Sequence, residues 1–253
     1  MSDSYLSGVR CVAFDYCDTL AELRPSSEEV LAKWCSLHGA GDLSHDTLRS
    51  ALNRASAEMP YSSLTIGTEW DRRRYFTRFN AIVLTYLGLG CDGGENLYEH
   101  FRHWPRHWTL RPGAEALLRE LARKGYLVVL ATNFDARLMT LLDRDGTAKR
   151  FDAMFVSAVL GLEKPDPAFY RTIFRQLRIQ PEAIVMVGDD LTLDVRPALA
   201  VGMKAIHLTE GCREATKQAA RLSSDHIDIF TLDQLSDLCP PLVEVESRIS
   251  WKV

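Results

Sequence analysis

The sequence lacks long hydrophobic runs: no apolar stretch approaches the roughly 18 residues a helix needs to cross a bilayer. Its first residues, Met1-Ser2-Asp3-Ser4, are polar and acidic, unlike a secretory leader. Six cysteines are present (Cys11, Cys17, Cys35, Cys91, Cys212, Cys239), without a CxxC pair or the Cys/His spacing of a zinc site. No leader and no disulfide or metal pattern together point to a reduced, cytoplasmic protein. A basic excess is missing too. Thirty Lys and Arg against 34 Asp and Glu give a net charge of -4, which argues against nucleic acid as a partner. The cluster Arg72-Arg73-Arg74 is too short to alter this and reads as a solvated helix face. Internal repeats are absent. What is there is ordinary for a globular chain: 253 residues, 46% apolar and 25% charged. That length supports one core domain plus an insertion without structural staples.

Five short apolar runs are continuous rather than alternating: 9–14, 126–131, 153–156, 183–187 and 203–208. Such runs suit parallel strands buried on both faces. Helical spacing separates them. Residues 112–124 carry Ala114, Leu117, Leu118 and Leu121 on one face and stop at Gly125. Residues 167–178 carry Phe169, Ile173, Phe174 and Leu177, with Asp166 as cap and Pro167 in the first turn. A further helix is expected over 194–200, ending at Gly202. Alternating strands and helices predict a doubly wound α/β domain with a parallel sheet.

Residues 24–108 break the alternation. They read as helices over 28–37, 45–58, 69–87 and 95–104, capped by serines such as Ser26 and Ser44. This predicts a smaller helical domain at 24–108, inserted into a core domain built from 1–23 and 109–253. Trp34, Phe76, Trp104 and Trp108 read as packing residues. The tail from Cys239-Pro240-Pro241 onward carries no readable chemistry.

Four of the predicted strands end in polar residues. Asp15 follows the first, where open α/β sheets place their chemistry. Thr132-Asn133 stand at the end of the second; a hydroxyl there suits a phosphate oxygen, or simply caps the next helix. Lys164 lies in Gly161-Leu162-Glu163-Lys164-Pro165-Asp166-Pro167, where two prolines hold a cation in place. Asp189, Asp190 and Asp194 follow the fourth strand. Carboxylates so close together are costly unless a cation neutralises them, and Mg²⁺ prefers such oxygens; the other reading is a capped helix with surface acids.

The order carboxylate, hydroxyl, lysine, acidic pair resembles the haloacid dehalogenase (HAD) superfamily of hydrolases, over residues 8–23 and 109 to about 210. The forms Thr-Asn-Phe-Asp and Gly-x-x-Lys-Pro-Asp-Pro look like a subgroup of small members with a C1 cap. The resemblance implies a Rossmann-like core and a helical C1 cap domain. It implies that Asp15 is a nucleophile forming an aspartyl phosphate. Mg²⁺ would be held by Asp15, the backbone carbonyl of Cys17, and Asp189, with Asp194 completing the shell and Asp190 supporting it less directly. Thr132 and the Asn133 amide would hold phosphoryl oxygens, and Lys164 would balance their charge. The implied substrate is a small phosphorylated metabolite. Tyr61, Ser62, Ser63, Trp70, Arg72 and Arg73 are the specificity candidates of the cap. Oligomeric state is left open between monomer and dimer.

Position 17 departs from the pattern. Family phosphatases carry there a second aspartate that protonates the leaving group and then activates water. Cys17 supplies a thiol, with an ordinary pKa near 8.5 and weak hydrogen bonding. Asp18 is adjacent, but one residue along a turn points elsewhere. The leading reading is therefore a Mg²⁺-dependent phosphatase with impaired acid–base help. A non-catalytic phosphoryl-ligand binder or regulatory member is the alternative. A dehalogenase fits less well, because its fourth motif would carry Ser and Asn in place of Asp189 and Asp190. His207 reads as structural, and His100, His103 and His107 as a solvated helix end.

Overall fold

Strand Cys11–Phe14 (β1) is buried at every position, which explains its unbroken apolar sequence. It lies between two parallel neighbours, Leu127–Thr132 (β4) and Ile184–Gly188 (β6). The computed structural model describes residues 5–103, 107–209, 221–222, 226–229 and 231–242. Beyond β4 lies Ala153–Val156 (β5), and beyond β6 lies Lys204–Leu208 (β7), both parallel. These are the five strands expected from the sequence. The sheet then continues through Ile227–Ile229 (β9), parallel to β7, and Arg221–Leu222 (β8), antiparallel to β9. The last two strands are too short to show a periodicity. The full order is β5-β4-β1-β6-β7-β9-β8. Helices between the parallel strands make this the doubly wound, Rossmann-like α/β fold. The strand order reverses at β1, so the carboxyl ends of β1, β4 and β6 border a topological switch point.

The helix Pro167–Leu177 buries Phe169, Tyr170, Ile173 and Leu177, which share a core with Ala13, Ala131, Phe155 and Met186. Asp166 caps it by accepting from the Ala168 amide at 2.8 Å. The helix Ala114–Arg123 buries Ala114, Leu117, Leu118 and Leu121, the stripe read from the sequence. Residues 240–242 also dock on this domain: Tyr126 donates to the Pro240 carbonyl at 2.8 Å, and the Leu242 amide donates to the Lys124 carbonyl at 2.9 Å.

One expected helix differs. Residues Leu191–Val195 form a π-helical turn, and only Arg196–Ala200 is α-helical. The Asp190 carboxylate takes the Thr192 and Leu193 amides, which opens the turn earlier than Asp194. Two further strands, Ala21–Arg24 (β2) and His107–Leu110 (β3), form a separate two-stranded sheet.

The chain divides into two compact units, residues 1–22 with 110–253, and residues 23–109. The second unit is built of helices Ser27–Leu37, His45–Glu58, Glu69–Tyr86 and Gly94–His103. Ser26 and Ser44 cap the first two, the former in a reciprocal capping box with Glu29. Leu31, Trp34, Leu48, Val83, Leu84 and Leu97 form its core. Trp34 is thus a packing residue, its indole nitrogen donating to Asn96 at 2.7 Å. Trp104, Cys212 and the tail beyond 242 lie outside the described residues.

Candidate active site

Asp15 sits one residue past β1, and its amide still donates to Val187 on β6 at 2.9 Å. The backbone direction is therefore fixed by the sheet. The side chain is buried, and its Oδ1 accepts from Lys164 Nζ at 2.7 Å. The same ammonium donates to Asp194 Oδ1 at 2.6 Å, with both side chains 2% exposed. Lys164 thus joins carboxylates that follow two different strands. Burial alone would lower its pKa, but Asp15 and Asp194 outweigh that and hold the ammonium protonated above its usual range.

Asn133 sets the position of Lys164. Its Nδ2 donates to the Lys164 carbonyl, and its Oδ1 accepts the Lys164 amide, each at 2.8 Å. The side-chain amide imitates a strand partner and ties the lysine loop to the end of β4. Sequence reasoning assigned the Asn133 backbone amide to a ligand and missed this use of the side chain. The following residue is also clamped: the Phe134 amide donates to Ser157 Oγ at 2.9 Å, and that hydroxyl donates to the Phe134 carbonyl at 3.1 Å.

Thr132 is fully buried at the end of β4, and its Oγ1 has no hydrogen-bond partner among the described residues. It does not cap the next helix, which starts at Arg137 after Ala136. The helix-cap alternative is therefore removed. A buried hydroxyl left unmet costs about 1–3 kcal/mol, which a ligand oxygen would recover.

Three carboxylates converge: oxygens of Asp15, Asp189 and Asp194 all lie within 4.8 Å of one another. Asp189 Oδ1 accepts from Thr19 Oγ1 at 2.8 Å, which links the first and last loops of the site. Burial, then the charge of Asp15, push the Asp189 carboxyl up to about 7. Burial likewise pushes Asp194 upward, against the pull of Lys164. Asp194 Oδ2 accepts the Asp190 amide at 3.2 Å. Gly188 makes this possible, because a Cβ there would lie 2.3 Å from the Asp194 carboxyl carbon. One ammonium faces three carboxylates, so the donor set suits an additional hard cation such as Mg²⁺.

Asp190 is the exception. Its carboxylate accepts from the Thr192 amide and hydroxyl at 2.6 Å each and from the Leu193 amide at 3.0 Å. Burial would raise its pKa, but these bonds hold it below the usual carboxylate value. Its Oδ1 is thus taken up in capping the turn that follows.

Cys17 is half-buried, and its thiol is pushed well above its ordinary pKa by burial, then by Asp15 and Asp18. Asp18 is exposed and left-handed at φ 57°, a conformation that aspartate tolerates better than most residues. Its amide donates to the Ala21 carbonyl at 2.7 Å, and its carbonyl accepts from the Arg111 guanidinium. Among the specificity candidates, Arg73 is engaged by Glu95 and Glu99, and Trp70 is 64% exposed beneath Arg74.

His207, read from sequence as structural, reaches the site. Its Nε2 lies 3.0 Å from the Asp189 carbonyl and its Nδ1 lies 3.2 Å from Asp228 Oδ1. The sequence signal for it was weak: one polar residue in an otherwise apolar strand.

A doubly wound parallel sheet thus carries a lysine-bridged carboxylate cluster beyond its switch point, the arrangement of a hydrolase-type α/β core. The comparisons with known proteins agree. The sequence profile of the haloacid dehalogenase-like hydrolases matches residues 9–202. The mouse haloacid dehalogenase-like hydrolase domain-containing protein 3 is 29% identical over 94% of this chain and 96% of its own. A phosphoserine phosphatase of Thermus thermophilus is 34% identical over 54% of this chain and 56% of its own. Among solved structures, the magnesium-bound HAD-hydrolase YfnB of Bacillus subtilis matches 91% of this chain and 98% of its own, at 20% identity and a TM-score of 0.61. The chain belongs to the haloacid dehalogenase-like hydrolases, and phosphatases are among its relatives.

Proposed function

We propose that this chain is a Mg²⁺-dependent phosphatase that hydrolyses a small phosphorylated metabolite through an aspartyl phosphate on Asp15. The observation that carries this reading is Lys164 joining Asp15 to Asp194, with Asp189 alongside. Relatives named as phosphoserine, ribulose-1,5-bisphosphate and glyceraldehyde 3-phosphate phosphatases support it.

Lys164 holds Asp15 Oδ1, which leaves Oδ2 as the attacking oxygen. Attack forms an O–P bond and breaks the ester P–O bond, so the difficult transfer is split into two displacements. The Thr132 hydroxyl and Asn133 amide hold phosphoryl oxygens, and Lys164 offsets charge gathered on them. Asp15, the Cys17 carbonyl and Asp189 would hold Mg²⁺, with Asp194 supporting. When bound, the ion neutralises the carboxylates and phosphate so that two anions can meet.

The leaving oxygen still needs a proton, and the second displacement needs a base for water. The Cys17 thiol is a poor source and a poor base at its raised pKa. Loss of such help typically costs about 10²–10⁴-fold. A substrate with a good leaving group is therefore the preferred one. The helical unit following the Asp15 strand is assigned the role of specificity cap from its point of insertion. A cytoplasmic setting rests on Cys11, Cys17, Cys35, Cys91 and Cys239, each a free thiol.

Cys17 also favours a second reading, a phosphoryl-ligand binder without turnover. Aryl and acyl phosphates assayed with and without Mg²⁺, on wild type and Asp15→Asn, separate the two. Mg²⁺-dependent release that vanishes in Asp15→Asn supports hydrolysis. Release that survives the substitution rules Asp15 out as nucleophile, and tight phosphate binding without release selects the binder.

A further inference from the structure

The cluster of His207, His226 and Asp228 belongs to none of the loops assigned above. Sheet register assembles it. His207 on β7 lies directly beside Asp228 on β9, and parallel partners present their side chains to the same face. His226 precedes Asp228 by two positions, so the alternation of a strand brings it to that face too. Asp228 is 5% exposed and both imidazoles are half-buried. Such a carboxylate is normally neutralised by a partner or a metal.

We propose that His207 Nδ1, His226 Nε2 and Asp228 Oδ1 form a second metal site, for a divalent transition ion of the zinc type. Three observations carry it. Ligand atoms of all three residues lie within 4.8 Å of one another. Both nitrogens approach the same oxygen, at 3.2 and 3.3 Å. Neighbouring ligands of a tetrahedral ion with bonds of about 2.0–2.1 Å stand roughly 3.3–3.4 Å apart. N–H···O hydrogen bonds cluster closer, at about 2.9–3.0 Å.

The third observation is the other face of the His207 ring. Nε2 is 3.0 Å from the Asp189 carbonyl, which can only accept. Nε2 therefore donates to that carbonyl, and Nδ1 is the nitrogen turned toward the carboxylate. Metal-bound histidines characteristically donate their second nitrogen to a carbonyl or carboxylate, as His207 does. Two imidazoles and one carboxylate suit zinc better than magnesium, which distinguishes this site from the acidic trio.

The test is Zn²⁺ binding to the full chain after chelator treatment, followed by competition against a chromophoric chelator and by melting temperature. Wild type is expected to take up one tightly held equivalent and to gain thermal stability from it. His226→Gln and Asp228→Asn should each weaken binding by at least about tenfold. Asp15→Asn, which alters only the acidic trio, should retain it. Co²⁺ replacing Zn²⁺ in wild type should give the visible absorption of a four-coordinate site, which keeps the test independent of how well variants fold. No Zn²⁺ uptake by folded wild type would mean that the three groups share only protons, and would overturn the proposal. Uptake unaffected by His226→Gln but lost in Asp15→Asn would overturn it as well.

Discussion

The Asn133 side chain and the Lys164 backbone exchange two hydrogen bonds of 2.8 Å each, across 31 positions of sequence. The lysine that joins Asp15 to Asp194 is therefore held by its backbone from one strand end and by its ammonium from two others. Asn133→Ala removes both backbone bonds. Leaving a buried amide and carbonyl unmet should lower stability by about 1–3 kcal/mol. Release of the lysine loop should also reduce kcat more than it raises KM. Melting curves and steady-state kinetics on the same preparation check both; an unchanged kcat would show that Lys164 keeps its place without Asn133.

Gly188→Ala should be severe for its size. The new methyl would lie 2.3 Å from the Asp194 carboxyl carbon, inside any possible contact distance. Overpacking of this kind costs roughly 1–3 kcal/mol and would displace Asp194 from Lys164. The expected outcome is a folded but less stable protein with little or no activity. Thermal denaturation close to wild type would mean that the π-helical turn absorbs the methyl.

Cys17→Asp restores a carboxyl where an acid and base are wanted. Turnover should rise, by up to about 10²–10⁴-fold for substrates with poor leaving groups and less for aryl phosphates. Comparing the two substrate classes is the decisive measurement. An equal effect on both would show that protonation of the leaving group is not what limits the wild type.

Asp189→Asn should separate two roles of one carboxylate. Without Mg²⁺ the substitution removes repulsion among Asp15, Asp189 and Asp194, so the melting temperature should stay level or rise. With Mg²⁺ the wild type should gain stability by mass action, and the variant should not. Melting curves with and without millimolar Mg²⁺ test this. An equal Mg²⁺ response in both proteins would place the ion elsewhere.

The fold was largely legible because its parallel strands are continuous apolar runs and its helices carry recognisable caps. Ser44, Asp166 and Pro167 stand where their side-chain chemistry predicts. The positions of Asp15, Thr132 and Asp189 were legible for a related reason, since each is a polar residue at or just past the end of a strand. Lys164 lies beyond the helical segment Ser157–Leu160 and was marked by its flanking prolines, and Asp194 by the acidic run after β6. What was not legible depends on partners distant in sequence. Thr19 and Asp189 meet across 170 positions, and nothing local marks Thr19 as a donor to a carboxylate. Asp190 and Asp194 are equivalent by composition; only the direction of the turn decides that one caps amides while the other meets Lys164. The role of His207 follows from the register of β7 and β9, and β9 is too short to be read as a strand.

The family match ends at residue 202, before His207 and Asp228. A fragment cut at that boundary would keep every motif residue, yet it would lose β7 and β9 entirely, so the Asp189 carbonyl would lose its imidazole partner and β6 its outer neighbour. The practical end of the catalytic core is therefore β9 rather than the last recognisable motif. An expression trimmed to the motifs would be expected to look inactive for reasons unrelated to its chemistry.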